Sequence, residues 1–424
     1  MGGTRYRLIT ERKNKGGFMK KLFVLSMMLM AMFVISACGP REEVMLEMMW
    51  FSDGIEGEVM QTLLDRYYDE TGVEIELLVI GWNEYETRLG QMIDGGDQPA
   101  LIRTTEGVMN NFKTHLVELD GVFTEANFTN IFYNADGKPI GLPMDVTANG
   151  LYVNLDLLDA YGVNYPVLGD EDIWTWAEFE TEMDKLRGQD DVTNPGLFDF
   201  QGHRFMPLIY QHGVHIWEDA FTDTNLTSAG AQAALQLLID FYDNGMISKE
   251  VFTTNAAELF ESGRYGFHMS GNWFAGRYHT ADLDFDWTVV PMPTGPEGQR
   301  ATVLGGKSMS ALKDSGNEEE AKAFITWLAQ AENHDEYNNY VPFLSARIGA
   351  EIDFGDLAHA LDVFQDEINH TPVSFVSDWL LMTQVPGIYP MINLMTNRAS
   401  AGEMTALAIL EALETTILAA MEDE

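Results

Sequence analysis

The run from Gly137 to Asn154, G-K-P-I-G-L-P-M-D-V-T-A-N-G-L-Y-V-N, most constrains how this chain can fold. Pro139 and Pro143 disfavour continuous pairing inside a central sheet. Gly141 and Gly150 loosen the backbone around the run. Leu151, Val153 and Leu155 then alternate with Tyr152 and Asn154, as a half-buried strand does. Such a run fits an edge strand between proline turns, or a strand that leaves one body and starts another. A second run of the same kind, Asp286 to Val290, closes on Pro291-Met292-Pro293. Two extended, proline-ended crossovers in a chain of 424 residues favour two bodies joined by more than one strand.

The first body reads as an α/β unit. Val44 to Phe51 is a buried strand, Ser52-Asp53-Gly54 a turn, and Glu56 to Glu70 a helix with Val59, Met60, Leu63, Leu64 and Tyr67 on one face. Gly72 ends that helix, and Val73 to Ile80 alternates as a strand. Strand, helix, strand predicts a parallel pair with a right-handed crossover. Trp82, Tyr85, Leu89 and Met92 mark another helix, and Leu101-Ile102 starts a third strand. Ligands in open α/β sheets lie beyond the carboxyl ends of the strands. The loops there offer Phe51, Asp53, Trp82 and Glu106 as binding candidates. Each also has a plain structural use: Phe51 as core, Asp53 as a helix cap, Trp82 as the first buried residue of its helix, Glu106 as a solvated acid.

Further along, Thr175 with Glu178 three residues on predicts a capping box. Thr227 or Ser228 opens a helix that Asn244-Gly245 ends. Asn317 with Glu320 predicts a second box, and the tail from Ile388 is helical with a break at Gly402 and an apolar face through Leu407, Leu410, Leu413 and Ile417. Trp174, Trp176, Trp287 and Trp327 are expected in the core.

Charge and cysteine narrow the function. The chain holds 66 acidic and 25 basic residues, a net charge of −41, spread along its length. Such a surface repels nucleic acid and anionic membranes and suits salty or alkaline surroundings. The single cysteine, Cys38, excludes an intrachain disulfide and a cysteine-based zinc site. No H-E-x-x-H spacing occurs among the nine histidines, so neither a metal nor a cofactor is expected. Lys20-Lys21, the apolar run Leu22 to Ile35 and the small residues Ser36-Ala37 form an export signal. Ile35-Ser36-Ala37-Cys38 is similar to a bacterial lipobox, which implies cleavage before Cys38 and lipidation on it. More than one acyl chain then gives stable membrane attachment. Lys15-Gly16-Gly17-Phe18 could be encoded by a ribosome-binding-site-like run just upstream of Met19, so Met19 is the expected start and 1–18 untranslated. Residues 1–37 hold seven of the basic residues and one acid, leaving the exported part at −47.

Four segments, taken in order, resemble the extracellular solute-binding proteins of ABC transporters, the carbohydrate-binding family that includes the maltose-binding protein. They are Gly137–Asn154, Trp174-Thr175-Trp176-Ala177-Glu178-Phe179, Leu259–Arg264 with Ser270-Gly271-Asn272-Trp273, and Trp287–Pro293 with Leu304-Gly305-Gly306. The resemblance implies a two-lobe periplasmic-binding-protein-like α/β fold of type II, with mixed sheets flanked by helices and hinge crossovers between the lobes. It implies an N-lobe over 44–144 with a return segment over 291–340, and a C-lobe over 145–290 with a return segment over 341–424. Residues 38–43 are left as a lipidated linker. It further implies a binding protein, not an enzyme: a monomer, lipid-anchored on the extracellular or periplasmic side, that hands a mono- or oligosaccharide to an ABC permease and binds no nucleic acid. Trp273 matches a tryptophan that stacks on sugar in relatives, and Tyr389 lies near a second aromatic platform. Asp145, on the first hinge strand, is expected to face the ligand, with Met144 to Thr147 bending. Departures from the pattern are Pro99-Ala100 where Pro-Asp is usual, and a short stretch between Leu119 and Gly137.

Flat indole and phenol rings suit the apolar faces of a sugar, and carboxylates accept from its hydroxyls. A secreted glycoside hydrolase, which needs two opposed carboxylates, and a surface adhesion protein are the competing classes. Polyamines, metal chelates and phosphate esters are the competing ligands, with the expected cleft acids arguing against anions.

Overall fold

A computed structural model describes residues 45–424 except 53, 170–172, 199–201, 220, 403 and 423–424. The signal segment, Cys38, its linker and Asp53 lie outside the described residues.

The strands in chain order are β1 (Met45–Trp50), β2 (Glu74–Val79), β3 (Leu101–Thr104), β4 (Leu142–Pro143), β5 (Asp145–Val146), β6 (Asn149–Asn154), β7 (Asn194–Phe198), β8 (Trp217–Asp219), β9 (Asp223–Thr224), β10 (Tyr265–Gly271), β11 (Trp287–Val290), β12 (Ser308–Ala311) and β13 (Leu344–Ser345). One sheet runs β2-β1-β3-β12-β4 and another β11-β6-β10-β7, so the fold is two α/β lobes with helices flanking mixed sheets.

In the first lobe β1 and β3 pair in parallel, Met48 with Leu101 and Met49 with Ile102. The helix Glu56–Thr71 covers the sheet with Met60, Leu63, Leu64 and Tyr67 and stops at Gly72, whose φ of +72° needs no Cβ. The core under the cleft side holds Met49, Phe51, Tyr85, Ile102, Val108 and Met109. Into the middle of this sheet comes β12, antiparallel to both β3 and β4. The sheet is therefore closed by residues that follow the second lobe in sequence.

In the second lobe β6 is buried on both faces. Leu151 and Val153 enter one core and Tyr152 the other, as period-2 alternation dictates. Each such burial contributes about 2 kcal/mol. The helices Ile388–Ala401 and Ala406–Glu422, separated by Gly402 at φ +67°, join the larger core through Ile388, Ile392, Leu410 and Ile417. On the predicted face of the last helix Leu410, Leu413 and Ile417 are buried, whereas Leu407 is exposed and Ala406 and Ile409 complete the buried side. The Thr175–Glu178 capping box is present, whereas Asn317 makes no side-chain cap bond. Trp174, Trp176 and Trp327 are buried and Trp287 half-buried.

The Gly137–Asn154 run is not one strand. It breaks at Met144 and again at Thr147-Ala148, and its three pieces pair with different strands: β4 with β12, β5 with β13, β6 with β10 and β11. The second crossing lies later than Trp287–Pro293. There β11 pairs with β6 inside the second sheet, and Met292, Ala301 and Val303 remain in the second lobe's core. The chain passes between the lobes at Leu304 to Lys307, where Thr147 and Gly305 exchange backbone hydrogen bonds of 2.8 and 3.0 Å. The stretch 291–303 thus belongs with the second lobe, because its apolar side chains are buried there.

Candidate functional site

A cavity of ≈ 820 Å³ opens between the lobes. The first lobe lines it with the segments after β1, β2 and β3: Phe51-Ser52, Gly81 to Glu84, and Thr105 to Gly107. This is the placement expected for the carboxyl ends of α/β strands. The second lobe contributes His203-Arg204, Thr253 to Ala256, Trp273-Phe274 and Tyr389, and the crossing strands contribute Thr147, Gly306 and Lys307.

Phe51 is almost wholly buried, with its ring centroid 4.8 Å from Trp82 and 5.0 Å from Tyr85, so it is both core and cavity wall. Trp82 opens the helix Trp82–Gly95 at the rim and is 42 % exposed. Glu106 opens the helix Glu106–Asn111, which Thr105 caps by accepting from Val108 N–H. Burial pushes the Glu106 carboxyl up to about 7, against hydrogen bonds from backbone and Asn130 that favour its charge.

Trp273 follows β10 and lies flush on Gly271, where a Cβ would sit 1.9 Å from Cζ3. The Arg204 guanidinium is 4.3 Å and the Lys307 ammonium 5.2 Å from its ring centroid. Tyr389 is half-buried and T-shaped to Trp379 at 5.9 Å. Burial holds its phenol well above the usual range.

Asp145 does not line the cavity. It is 0 % exposed, and its Oδ1 accepts from the Lys307 N–H at 3.2 Å and lies 3.8 Å from Lys307 Nζ. The carboxylate is thus held beneath the cleft by the second crossing strand instead of facing a ligand. Burial raises its pKa, with Lys307 and then Arg103 opposing.

Several lining residues escaped the sequence reading. Lys307 follows Gly305-Gly306, and that doublet was its available signal. A Cβ at Gly306 would lie 2.3 Å from Asp145 O. At Gly305 it would lie 2.6 Å from Thr147 Oγ1, 2.9 Å from His203 Nε2 and 3.6 Å from Glu106 Oε1, so polar atoms from three elements converge on one glycine. His203 and Arg204 open the helix Gly202–Gln211 and carried no local signal. His203 Nδ1 faces two donors, Asn149 Nδ2 and Arg204 Nη1, each at 3.3 Å. It therefore accepts, and the proton sits on Nε2 toward the cleft. Burial, then Arg204 and Lys307, keep the ring neutral by lowering its pKa well below the usual value.

Among the described residues the lining balances Arg204, Arg277 and Lys307 against Glu84, Glu86 and Glu106, although the chain as a whole is acidic. The described lining residues by themselves therefore give no bias against anions. Aromatic planes beside neutral and charged donors and acceptors can hold a hydroxyl-rich ring. Among the described residues no group of three His, Cys, Asp or Glu could hold a metal, and no helix is long and apolar enough to cross a membrane.

A family profile described as bacterial extracellular solute-binding protein matches residues 62–351. An arabinooligosaccharide-binding protein of Bacillus subtilis is 24 % identical over 354 residues, 74 % of this chain and 77 % of that protein. An ABC substrate-binding protein of Listeria monocytogenes, solved in complex with cycloalternan, superposes with a TM-score of 0.75 at 20 % identity, covering 90 % of this chain and all of that one. The GacH receptor of Streptomyces glaucescens gives a TM-score of 0.75 at 18 % identity, covering 90 % and 99 %.

Proposed function

The chain belongs to the bacterial extracellular solute-binding proteins, a family of binding proteins and not enzymes, and from that premise we propose that it captures an oligosaccharide in the interlobe cavity and delivers it to an ABC permease. The carrying observation is the cavity itself. It has the volume of a small-molecule site and presents Trp82, Trp273 and Tyr389 beside Glu106, Thr147, His203 and Lys307. Rings give broad apolar planes at low entropic cost, and the polar atoms converging near Gly305 give hydroxyls partners of both kinds. The names of the relatives, which bind arabinooligosaccharide and cycloalternan, support the same ligand class.

In this reading Phe51, Trp82, Glu106, Trp273 and Tyr389 contact the ligand, and Asp53 is proposed as a further ligand contact from its place in the sequence after Phe51-Ser52. The ligand binds the closed form better than the open one, which is what drives closure. The protein acts as a monomer held to the outer face of the membrane by lipid on Cys38, with residues 1–37 removed.

Calorimetry with maltotriose, arabinotriose and raffinose, beside spermidine and glycerol phosphate, tests the reading. Saturable binding of at least one sugar, weakened about tenfold by Trp273→Ala, is the expected result. Binding confined to the polyamine or the phosphate ester overturns it. Loss of lipid labelling and release of the Cys38→Ser protein into the medium is the result expected of the anchor, and retention on the membrane overturns it.

A further inference from the structure

Besides the crossing strands, the two lobes touch across the cleft at a pair of adjacent contacts. The helix Glu106–Asn111 belongs to the first lobe, whose core contains Val108 and Met109. Gln384 and Tyr389 belong to the second, whose core contains Trp379, Val385 and Ile388. Asn110, nearly buried, donates from Nδ2 to the Gln384 carbonyl at 3.1 Å. One turn away the Cδ2–Cε2 edge of the Tyr389 ring lies against the Gly107 backbone. A Cβ on Gly107 would sit 2.8 Å from Tyr389 Cε2 and 2.9 Å from Cδ2. Trp379, T-shaped to the ring, limits its retreat. Neither contact lies on a covalent path between the lobes, and both are lost when the lobes part.

We infer that Gly107 and Asn110, with Tyr389 and Gln384, form a latch that holds the cleft closed, so that Gly107 and Asn110 set ligand affinity by positioning the lobes. Gly107 is required because only a bare Cα lets the ring approach, and Asn110 adds a directional hydrogen bond that only the closed arrangement can make. The inference rests on the reading that the lobes close on a ligand, but its test needs no ligand.

Spin labels at exposed Thr62 and Gln236, one on each lobe, in a Cys38→Ser background report the interlobe distance in the free protein. Gly107→Leu is expected to move the distribution to longer distances. Asn110→Ala, which does not line the cavity, is expected to lower the closed-to-open ratio about fivefold, the worth of one net hydrogen bond. The melting temperature should hold in Gly107→Ala, because replacing a helical glycine favours the helix. Distance distributions that coincide with the unsubstituted protein in both Gly107→Leu and Asn110→Ala overturn the latch. So does a fall in melting temperature without a shift in distance, which marks a purely structural role. A protein that binds no sugar would still show the latch, so the two readings fail separately.

Discussion

The Asp145 carboxylate and the Lys307 ammonium lie 3.8 Å apart beneath the cleft, and the Lys307 backbone N–H donates to the same carboxylate at 3.2 Å. This buried pair ties the first crossing strand to the second across 162 positions of sequence. Removing one partner of a buried pair costs far more than the pair contributes, because the other charge keeps its desolvation cost. Asp145→Ala should therefore destabilise the fold by about 3 kcal/mol, seen as a lower urea midpoint without ligand. A variant of unchanged midpoint and lost sugar binding would return Asp145 to the ligand surface.

The Glu106 carboxyl titrates near 7 in the folded chain and at its ordinary 4.5 when unfolded. Between those values the unfolded state releases its proton first, so this group's contribution to stability is full below 4.5 and falls as pH rises to 7. Relative to Glu106→Gln, the unsubstituted protein should lose about 3 kcal/mol across that window. Urea titrations from pH 4.5 to 8 measure it, and parallel curves for the two proteins would contradict the assignment.

His334 has the opposite sign. Its Nε2 donates to the Pro143 carbonyl at 2.9 Å, and Asn338 donates to Met144 O at 3.1 Å, so the helix Ala331–Tyr340 pins the backbone where the first crossing begins. Burial lowers its pKa from 6.5 to about 4. Stability from neutral His334 is present above 6.5 and lost as pH falls toward 4. His334→Gln should remove that acid sensitivity at a cost in stability at pH 7; retained sensitivity would place it elsewhere.

Gly306→Ala would set a Cβ 2.3 Å from the Asp145 carbonyl oxygen, a backbone atom that cannot rotate away. A loss of about 2 kcal/mol is expected, read by thermal unfolding, whereas Gly95→Ala, with open space around it, should be neutral or stabilising.

Local chemistry made part of this protein legible from its sequence. Thr175 and Glu178 form their box because a cap depends on residues three apart. Phe51, Trp82 and Glu106 line the cavity because loops after successive strands of an α/β sheet end at one edge. Trp273 and Tyr389 were reached through family resemblance, since neither has a local signature that separates cleft from core. Other features rest on contacts between residues far apart in sequence. The insertion of β12 between β3 and β4, the crossing at Leu304–Lys307 in place of Trp287–Pro293, the arrival of His203 and Arg204 beside Trp273, and the burial of Asp145 under Lys307 are of this kind. Periodicity and capping are energies of neighbours along the chain, and the sequence by itself determined the elements they govern. Which strand enters which sheet, and which charge is drawn under another, depends on packing between distant segments, and only the tertiary structure decided it.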